Sequence, residues 1–544
     1  MQSQRTHRLW RATALGCLPA ALLWFSLAHV QSAYADTVVN NCTTAGLQTA
    51  LSGANGMITF NCGVAPVVIT VTDNGGLDVL AGKKFTIDGG DKITLDAAHS
   101  NRLFDVRVGG ALTLTNIILT GGYQDGAHGN LPDLGGAILA EGLSLTLDHV
   151  TIRNSMAVGS GGGLEIISGT ILVKDSLIEG NQSSSGGGID NASQLSLVSA
   201  LTLVNTIVRS NHALTDFGGG LNLNRTVVID GSQIDNNVAQ YGGGINDSGT
   251  LTLTNSTVSS NSAYSGGGIY INGGKVALIT STLHANTAVL GGGILNAGVL
   301  TLTSSTLSGN SADYGGGIEN GSINPGVTLA LYDSTLSNNS ATNSGGGIVN
   351  GAFSAVTMFN STLSGNSAEA GGGIYNAGQT TAVNVTFDNH VASTGTAHNL
   401  YLDLGVLTLT NSIVNNAASY GANCFGGGFP KSVSRGHNLA NDTSCGLMTT
   451  GDHEGPLVPI LLGGLANHGG PTLTQLPHAA SAAIDGGDDF VCAAPPISQA
   501  DQRGVFRPLD GNGDGFAHCD IGGVERQPSD ADSVPWLWLP LIRR

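Results

Sequence analysis

The sequence repeats one pattern at a nearly fixed spacing along most of its length. Between Gly242 and Ile269, Gly-Gly-Gly-Ile is followed by Leu-Thr-Leu-Thr, by Thr-Val-Ser-Ser-Asn and by Gly-Gly-Gly-Ile again. A spacing near 24 residues is typical of a solenoid, in which each repeat forms one coil. The apolar residue after each glycine cluster marks the coils at Ile138, Leu164, Ile189, Leu221, Ile245, Ile269, Ile294, Ile318, Ile348 and Ile374.

An asparagine recurs in step with the glycines, three positions after an apolar residue. The asparagines are Asn181, Asn211, Asn237, Asn261, Asn286, Asn310, Asn339 and Asn366. A side-chain amide both donates and accepts hydrogen bonds, so amides at the same inward turn of each coil can bond along the stack. We predict that these residues form a structural ladder and are not catalytic.

The composition of each repeat favours strands over helices. Consecutive glycines destabilise a helix interior by about 1 kcal/mol each. Segments such as Leu251 to Thr254 alternate apolar and β-branched polar residues, which predicts an inward leucine face and an outward threonine face. With the Gly-Gly-Gly-Ile segment and the segment before the asparagine, each coil has three short strands. The sequence therefore predicts an all-β fold, a right-handed parallel β-helix of about 24 residues per coil.

A leucine-rich repeat has a similar period and is the main alternative fold. That pattern needs leucine where this chain has Ser256, and the other half of the repeat is rich in glycine instead of helix-forming residues. We therefore prefer the β-helix.

The short repeats resemble those of a known family of surface proteins. Gly315 to Ile318 and Leu307 to Asn310 are similar to the paired motifs of chlamydial polymorphic outer-membrane proteins, and the resemblance extends from about Gly135 to Ala417. It implies a right-handed β-helix and an adhesin-like role at the cell outer membrane.

The first 35 residues have the features of a signal peptide. Arg5, Arg8 and Arg11 precede an uncharged run from Ala12 to Val30, and Ala33-Tyr34-Ala35 matches a cleavage site. We expect the mature chain to begin at Asp36. Removing residues 1–35 takes away three basic and no acidic residues, so the net charge falls from −18 to −21. Such an acidic chain disfavours nucleic acid as a partner.

The cysteines that remain after the signal peptide form three local groups outside the repeats. Such cysteines are typical of an oxidising compartment, and six of them allow 15 connectivities. Pairing of sequence neighbours is the simplest arrangement, and it would place a disulfide at each end of the solenoid. The expected pairs are Cys42 with Cys62, Cys424 with Cys445, and Cys492 with Cys519.

The repeats divide the mature chain into four regions. Residues 36–110 are expected to form an N-terminal cap and the first coils, 111–420 the β-helix array, 421–527 a C-terminal region and 528–544 a short apolar tail. In the tail, the nine residues from Val534 to Ile542 are too few to cross a bilayer, which needs about 20. We expect no transmembrane span in the mature chain.

The C-terminal region carries a different set of motifs. They are Gly436-His437-Asn438-Leu439, Asn467 to Thr472, Ala483 to Gly486, Asp501 to Gly504 and Cys519 to Glu525. In this order they resemble the choice-of-anchor Q domain, which follows bacterial surface β-helices, over about Gly436 to Glu525. The resemblance implies attachment to or display on the cell surface, and it implies no catalytic residues.

Secreted β-helices that cleave acidic polysaccharides are the main functional alternative. Such sites need clustered carboxylates and a basic residue. The acidic residues Asp175, Asp230, Asp235 and Asp333 are scattered along the repeats. Lys174, Lys275 and Arg225 are scattered in the same way.

One turn in the C-terminal region has the spacing of a calcium loop. Asp510, Asn512 and Asp514 alternate with glycines, as at the start of an EF-type loop, and Asp520 stands next to the twelfth position. Apart from structural calcium at this candidate site, we expect no cofactor.

The expected function is that of a secreted or cell-envelope protein of bacteria with a non-enzymatic, adhesin-like or scaffold role. Its partner would be a cell-surface or extracellular ligand, either polysaccharide or protein. The alternative is a secreted polysaccharide-active lyase or hydrolase.

Overall fold

The computed structural model describes residues 36–71, 76–126, 133–192, 199–321, 325–393, 398–416, 421–426 and 432–530. The expected signal peptide and residues 531–544 of the expected tail lie outside these ranges. The chain forms a parallel β-helix of about 14 turns. The predicted fold class is thereby confirmed, although each turn averages about 26 residues instead of 24. The coil is longer because some repeats carry insertions, as between Ile189 and Leu221.

Two long parallel sheets form the walls of the β-helix. The first, sheet A, takes up two of the three strands in most coils and consists of 27 strands among the described residues. They are Thr37–Val39, Gly56–Phe60, Val67–Thr70, Lys84–Asp96, Ala111–Thr120, Ser144–Arg153, Gly169–Lys174, Leu177–Glu179, Ser199–Val204, Ile207–Arg209, Thr226–Asp230, Gln233–Asp235, Thr250–Thr254, Thr257–Ser259, Lys275–Ile279, Thr282–His284, Val299–Thr303, Thr306–Ser308, Thr328–Tyr332, Thr335–Ser337, Ala355–Ser364, Gln379–Asp388, Val406–Thr410, Ile413–Asn415, Ser432–Ser434, Leu439–Ala440 and His453–Glu454.

The second long sheet, sheet B, takes up the strand that follows each glycine cluster and has 14 strands in the same part of the chain. They are Leu77–Val79, Phe104–Val106, Ile138–Ala140, Leu164–Ile166, Ile189–Asn191, Leu221–Leu223, Ile245–Asp247, Ile269–Ile271, Ile294–Asn296, Ile318–Asn320, Ile348–Asn350, Ile374–Asn376, Leu400–Leu402 and Cys424–Gly426. Two small sheets of four strands each lie at the turn after the asparagines. Their strands are Tyr123–Gln124, Met156–Ala157, Gln182–Ser183, His212–Ala213, Ser311–Tyr314, Ser340–Ser344, Ser367–Ala368 and Val391–Ala392.

The register stacks like residues on like residues. Leu251 pairs with Val276, and Leu253 pairs with Leu278, on neighbouring strands of sheet A. Leu251 and Leu253 are fully buried, whereas Thr252 between them is only partly buried. The alternation of leucine and threonine thus separates an apolar interior from an outer face, as the sequence predicts.

Residues with a left-handed backbone turn the chain at the corners of a coil. In one coil these are Asn255 (φ 50°), Ser260 (φ 54°) and Gly266 (φ 64°). Glycine adopts this conformation most easily, and asparagine tolerates it better than most residues.

The glycine clusters lie in bends, and the strands of sheet B begin only after them. The expectation that the glycines belong to a strand was therefore wrong. Only the first glycine of a triplet, such as Gly242, has a positive φ. The third is required by close packing, since a Cβ on Gly244 would lie 2.7 Å from the carbonyl oxygen of Gly268 and 3.0 Å from Nδ2 of Asn261.

A short helix closes the N-terminal end. It spans Thr44–Ser52, and the Oγ1 of Thr43 caps it by accepting a hydrogen bond from the N–H of Gly46 at 3.3 Å. Leu47 and Leu51 are buried against the first coils. A second helix spans Asp489–Ala493. In the part of the chain that the structure describes, no helix is long and apolar enough to span a membrane.

All three cysteine pairings expected from sequence proximity are present. Cys42 bonds to Cys62, Cys424 to Cys445, and Cys492 to Cys519. The third disulfide lies against the flank of the last coils, because Sγ of Cys492 is 3.7 Å from Nδ2 of Asn384 and 3.5 Å from Nδ2 of Asn411.

Candidate functional site

The eight asparagines singled out in the sequence lie inside the β-helix and bond from coil to coil. In each of seven links, Oδ1 of one asparagine accepts hydrogen bonds from both the backbone N–H and the Nδ2 of the asparagine one coil earlier. The Nδ2 group also donates to the carbonyl of an apolar residue, as from Asn261 to Ile234 at 2.9 Å. The arrangement pairs the amides that a turn inside an apolar core would otherwise leave unsatisfied.

The asparagine ladder ends on a histidine. The backbone N–H of Asn366 donates to Nδ1 of His390 at 3.0 Å. Burial lowers the pKa of His390 to about 3, so its ring is neutral at physiological pH and can accept this bond.

Two further interior ladders were missed in the sequence. A second asparagine column follows the glycine clusters, where Asn296 donates to Asn320 at 2.7 Å, Asn320 to Asn350 at 3.0 Å and Asn350 to Asn376 at 2.9 Å. The signal was the asparagine two positions after the marker isoleucine. A serine column lies between the two strands of sheet A, and its hydroxyls accept backbone N–H groups of the preceding coil. Its members are Ser176, Ser232, Ser256, Ser281, Ser305, Ser334, Ser361 and Ser412.

The residue directly after the marker isoleucine or leucine points away from the core and forms an outer column on sheet B. Glu165 and Asp190 occupy it in consecutive coils and are register partners. Oε2 of Glu165 accepts a hydrogen bond from Ser160 at 2.8 Å, and Oδ2 of Asp190 accepts one from Asn222 at 2.8 Å. This carboxyl pair forms no local cluster in the sequence, because its two members lie one coil apart.

The carboxyl pair is closed off from solvent. Glu165 is 1% exposed and Asp190 is 2% exposed. Burial and the neighbouring Asp190 raise the pKa of Glu165 well above its ordinary value, and burial raises the pKa of Asp190 to about 6. In the same column, burial raises the pKa of Glu319 to about 8. Burial therefore favours the protonated form of these carboxyl groups over the ionised form.

Aromatic residues continue the outer column towards the C-terminal end. The rings of Tyr375 and Tyr401 are stacked with centroids 5.1 Å apart, and Phe425 follows at 5.5 Å. Because the rings pack on one another, part of each ring face is taken up by its neighbour.

Of the scattered charged residues, Lys174 and Asp175 lie together with Asp148 and His149. Asp175, Asp148 and His149 place their ligand atoms within 4.8 Å of one another, the only such group among the described residues. Lys174 already bonds the Asp148 carboxylate at 2.7 Å. The group is therefore a network of ion pairs on the surface.

The motifs of the C-terminal region converge on one buried network. Oδ2 of Asp501 accepts from Nε of Arg503 at 2.9 Å and from the N–H of Glu525 at 3.0 Å. Oε2 of Glu525 accepts from the N–H of Asp520 at 2.9 Å, and Oδ1 of Asp520 accepts from the N–H of Asp485 at 2.8 Å. Residues far apart in the sequence thus hold one another in place. The network stabilises the fold of the C-terminal region.

The C-terminal region also packs on the outer face of sheet A. Nε2 of Gln502 donates to Oγ1 of Thr335 at 2.9 Å, and Oε1 of Gln502 accepts from Oγ1 of Thr362 at 2.6 Å. The N–H of Gly523 donates to Oγ1 of Thr386 at 3.1 Å. These threonines are buried, whereas the equivalent Thr306 one coil earlier is only partly buried. The covered face of the β-helix therefore begins at Thr335.

The candidate calcium turn has its carboxylates directed at its own backbone. Oδ1 of Asp510 accepts the N–H of Gly513 at 2.6 Å, and Oδ1 of Asn512 accepts the N–H of Asp514 at 2.8 Å. Asp520 bonds elsewhere, to Asp485 and Arg526. The side-chain oxygens available to an ion are those of Asp510, Asn512 and Asp514, and calcium here stays a prediction.

The stacked sheets and their interior polar ladders define a parallel β-helix protein. No family model and no curated protein matches the chain. A solved structure titled "Crystal structure of pectate lyase Pel9A" is similar, with 12% identity, 88% of this chain and 90% of that chain covered, and a TM-score of 0.30. At this identity and TM-score, the likeness carries no functional argument.

Proposed function

We propose that the chain is an exported β-helix protein of the bacterial cell surface with a non-enzymatic, adhesin-like or scaffold role. The observation that carries the proposal is the burial of the carboxyl groups in the outer column of sheet B. Glu165, Asp190 and Glu319 are each at most 7% exposed, so a polymer sliding over the outer face would not reach them. General acid–base catalysis needs contact with the substrate within hydrogen-bonding distance.

Two other observations support an extracellular role. Three disulfides are typical of an oxidising compartment. The motifs that resemble a choice-of-anchor Q domain include Gln502 and Gly523, which bond the C-terminal region to the β-helix, and surface display through this region is a prediction of that resemblance. The partly exposed threonine face before Thr335 is then open to an extracellular ligand, polysaccharide or protein.

The location can be tested on intact cells that produce the protein. An antibody against residues 432–530 should bind intact cells, and an added protease should remove that signal without lysis. A protein found only in the cytosol, with its cysteines reduced, would contradict the proposal.

One observation favours a second candidate, a secreted polysaccharide lyase or hydrolase. Glu165 and Asp190 are neighbouring carboxyl groups with raised pKa values, and such a pair can divide acid and base roles. This candidate function requires the residues that bury the carboxyl pair to move aside when substrate binds. Cleavage lost in the variants Glu165→Gln and Asp190→Asn would favour it.

A further inference from the structure

An apolar groove lies where the C-terminal region meets the last coil. It is an open cavity of about 570 Å³ lined by residues that include Glu454, Pro456, Leu457, Val458, Pro459 and Ala482. Leu457 is 94% exposed at its edge. Val458 and Ala482 pack below on a small core formed by Ile413, Leu439, Ala483 and Ile521. An exposed apolar groove resting on a fixed core is typical of a binding surface.

The described chain stops close to this groove. Arg526 donates from Nη2 to the carbonyl of Asp530 at 2.6 Å and from Nη1 to the carbonyl of Pro477 at 2.7 Å. Pro477 pairs with Leu462 in an antiparallel bridge. Four residues after His478, which follows Pro477, the N–H of Ala482 donates to the carbonyl of Pro459 at 2.9 Å, and both Ala482 and Pro459 line the groove. Arg526 thus holds Asp530 beside Pro477, which pairs with the segment that follows the groove-lining Pro459.

The residues after Asp530 are long enough to reach the groove and match its chemistry. The 14 residues from 531 to 544 span up to about 46 Å when extended. They include Trp536 and Trp538 within an apolar run, followed by Arg543 and Arg544. Burying one indole side chain removes about 150–250 Å² of surface from water. Glu454 at the groove wall has the charge that complements the two arginines.

We propose that the groove binds residues 534–542 of the same chain, with an indole of Trp536 or Trp538 in the cavity. The tail then belongs to the folded C-terminal region. It covers Leu457 and is withheld from lipid surfaces and from other copies of the chain.

Tryptophan fluorescence tests this directly. Trp10 and Trp24 lie in the expected signal peptide, so in the mature chain from Asp36 the tryptophans are Trp536 and Trp538. Their emission should be blue-shifted relative to the same chain in denaturant and protected from acrylamide. Leu457→Glu should shift the emission to the red and raise quenching towards the denatured value. Because Leu457 is exposed, this variant should fold normally, which the thermal melting curve checks.

Leu404→Glu is the matched control, since Leu404 is 73% exposed and does not line the groove. It should leave emission and quenching unchanged. The proposal is overturned if the native emission equals the denatured one, or if Leu457→Glu changes neither signal. A blue shift that occurs only with anionic lipid vesicles would assign the tail to a membrane. A shift that grows with protein concentration would assign it to a second copy, and either result overturns the proposal.

Discussion

Asn310 accepts two hydrogen bonds from Asn286, one from its backbone N–H and one from its Nδ2, each at 3.0 Å. Nδ2 of Asn310 donates in turn to Oδ1 of Asn339 at 2.9 Å and to the carbonyl of Leu283 at 3.1 Å. One fully buried side chain therefore connects three consecutive coils. Apolar contacts in the core stabilise the stack but do not determine which residues lie over one another. The directional hydrogen bonds do determine it.

Replacing this amide should destabilise the fold. We expect Asn310→Ala to lower the free energy of unfolding by about 1–3 kcal/mol, since Asn286 would lose its acceptor inside the core. Denaturant unfolding measures the loss. Thr301→Ala, on the outer face, is the control and should have a much smaller effect. Equal losses would show that the ladder does not hold the coils.

The burial of Asp247 allows a prediction of whether stability rises or falls with pH. Asp247 is fully buried, its Oδ2 has no hydrogen-bond partner among the described residues, and burial raises its pKa from 3.8 to about 7. Between these pH values the folded state keeps a proton that the unfolded state has released. Stability should therefore fall as the pH rises from about 4 to about 7 and level off above that.

Asp247→Asn removes this contribution, and asparagine already occupies the same position in the coil of Asn296. The variant should unfold at higher denaturant concentration than the wild type at pH 8, with a smaller advantage at pH 5. The carboxyl groups of Asp190 and Glu319 act in the same direction and remain in both proteins. An advantage of the same size at both pH values would contradict the assignment of the buried proton to Asp247.

Much of the fold could be predicted from the sequence, because the same residue type recurs at each structural position. The inward Leu251 and the outward Thr252 follow from alternation within one strand, and the period shows which residues stack. The carboxyl pair of Glu165 and Asp190 could not be recognised in the same way. Its members are 25 residues apart, and only the register of sheet B makes them neighbours.

The position of the C-terminal region on the β-helix also could not be predicted from the sequence. Gln502 contacts Thr335, which lies 167 residues earlier, and no period relates the two segments. The motifs around Asp501 and Glu525 indicated a separate region, but a fold that depends on such distant contacts has no local signal. The same holds for Asp520, whose place next to the candidate calcium turn in the sequence did not predict its bonds to Asp485 and Arg526.

The contact of Gln502 gives a prediction about this docking. Gln502→Glu removes the donor that bonds Thr335 and Thr472 at 2.9 and 3.0 Å, and it buries a charge in its place. Hydrogen exchange should become faster in residues 432–530 and stay unchanged in the repeat array. Gln240→Glu introduces the same charge at an exposed position and should change neither. Unchanged exchange in the Gln502 variant would show that the region is held by other contacts.

The turn from Asp510 to Gly515 predicts a response to calcium. Asp510, Asn512 and Asp514 place three oxygen-bearing side chains at alternating positions next to the chain segment fixed by Cys519. Millimolar calcium should raise the melting temperature of the wild type, because an ion that binds only the folded state stabilises it. The double variant Asp510→Ala, Asp514→Ala should gain nothing. Identical responses of the two proteins would remove calcium from this turn.

We propose that the polar groups of the repeat array hold the coils together and do not act on a substrate. The most direct test is to incubate the purified protein with pectins, alginate and other uronic-acid polymers, with and without calcium, and to follow polymer length by size-exclusion chromatography. We expect no change in polymer length. Reproducible shortening that is abolished in the double variant Glu165→Gln, Asp190→Asn would contradict this proposal and identify the carboxyl pair as catalytic.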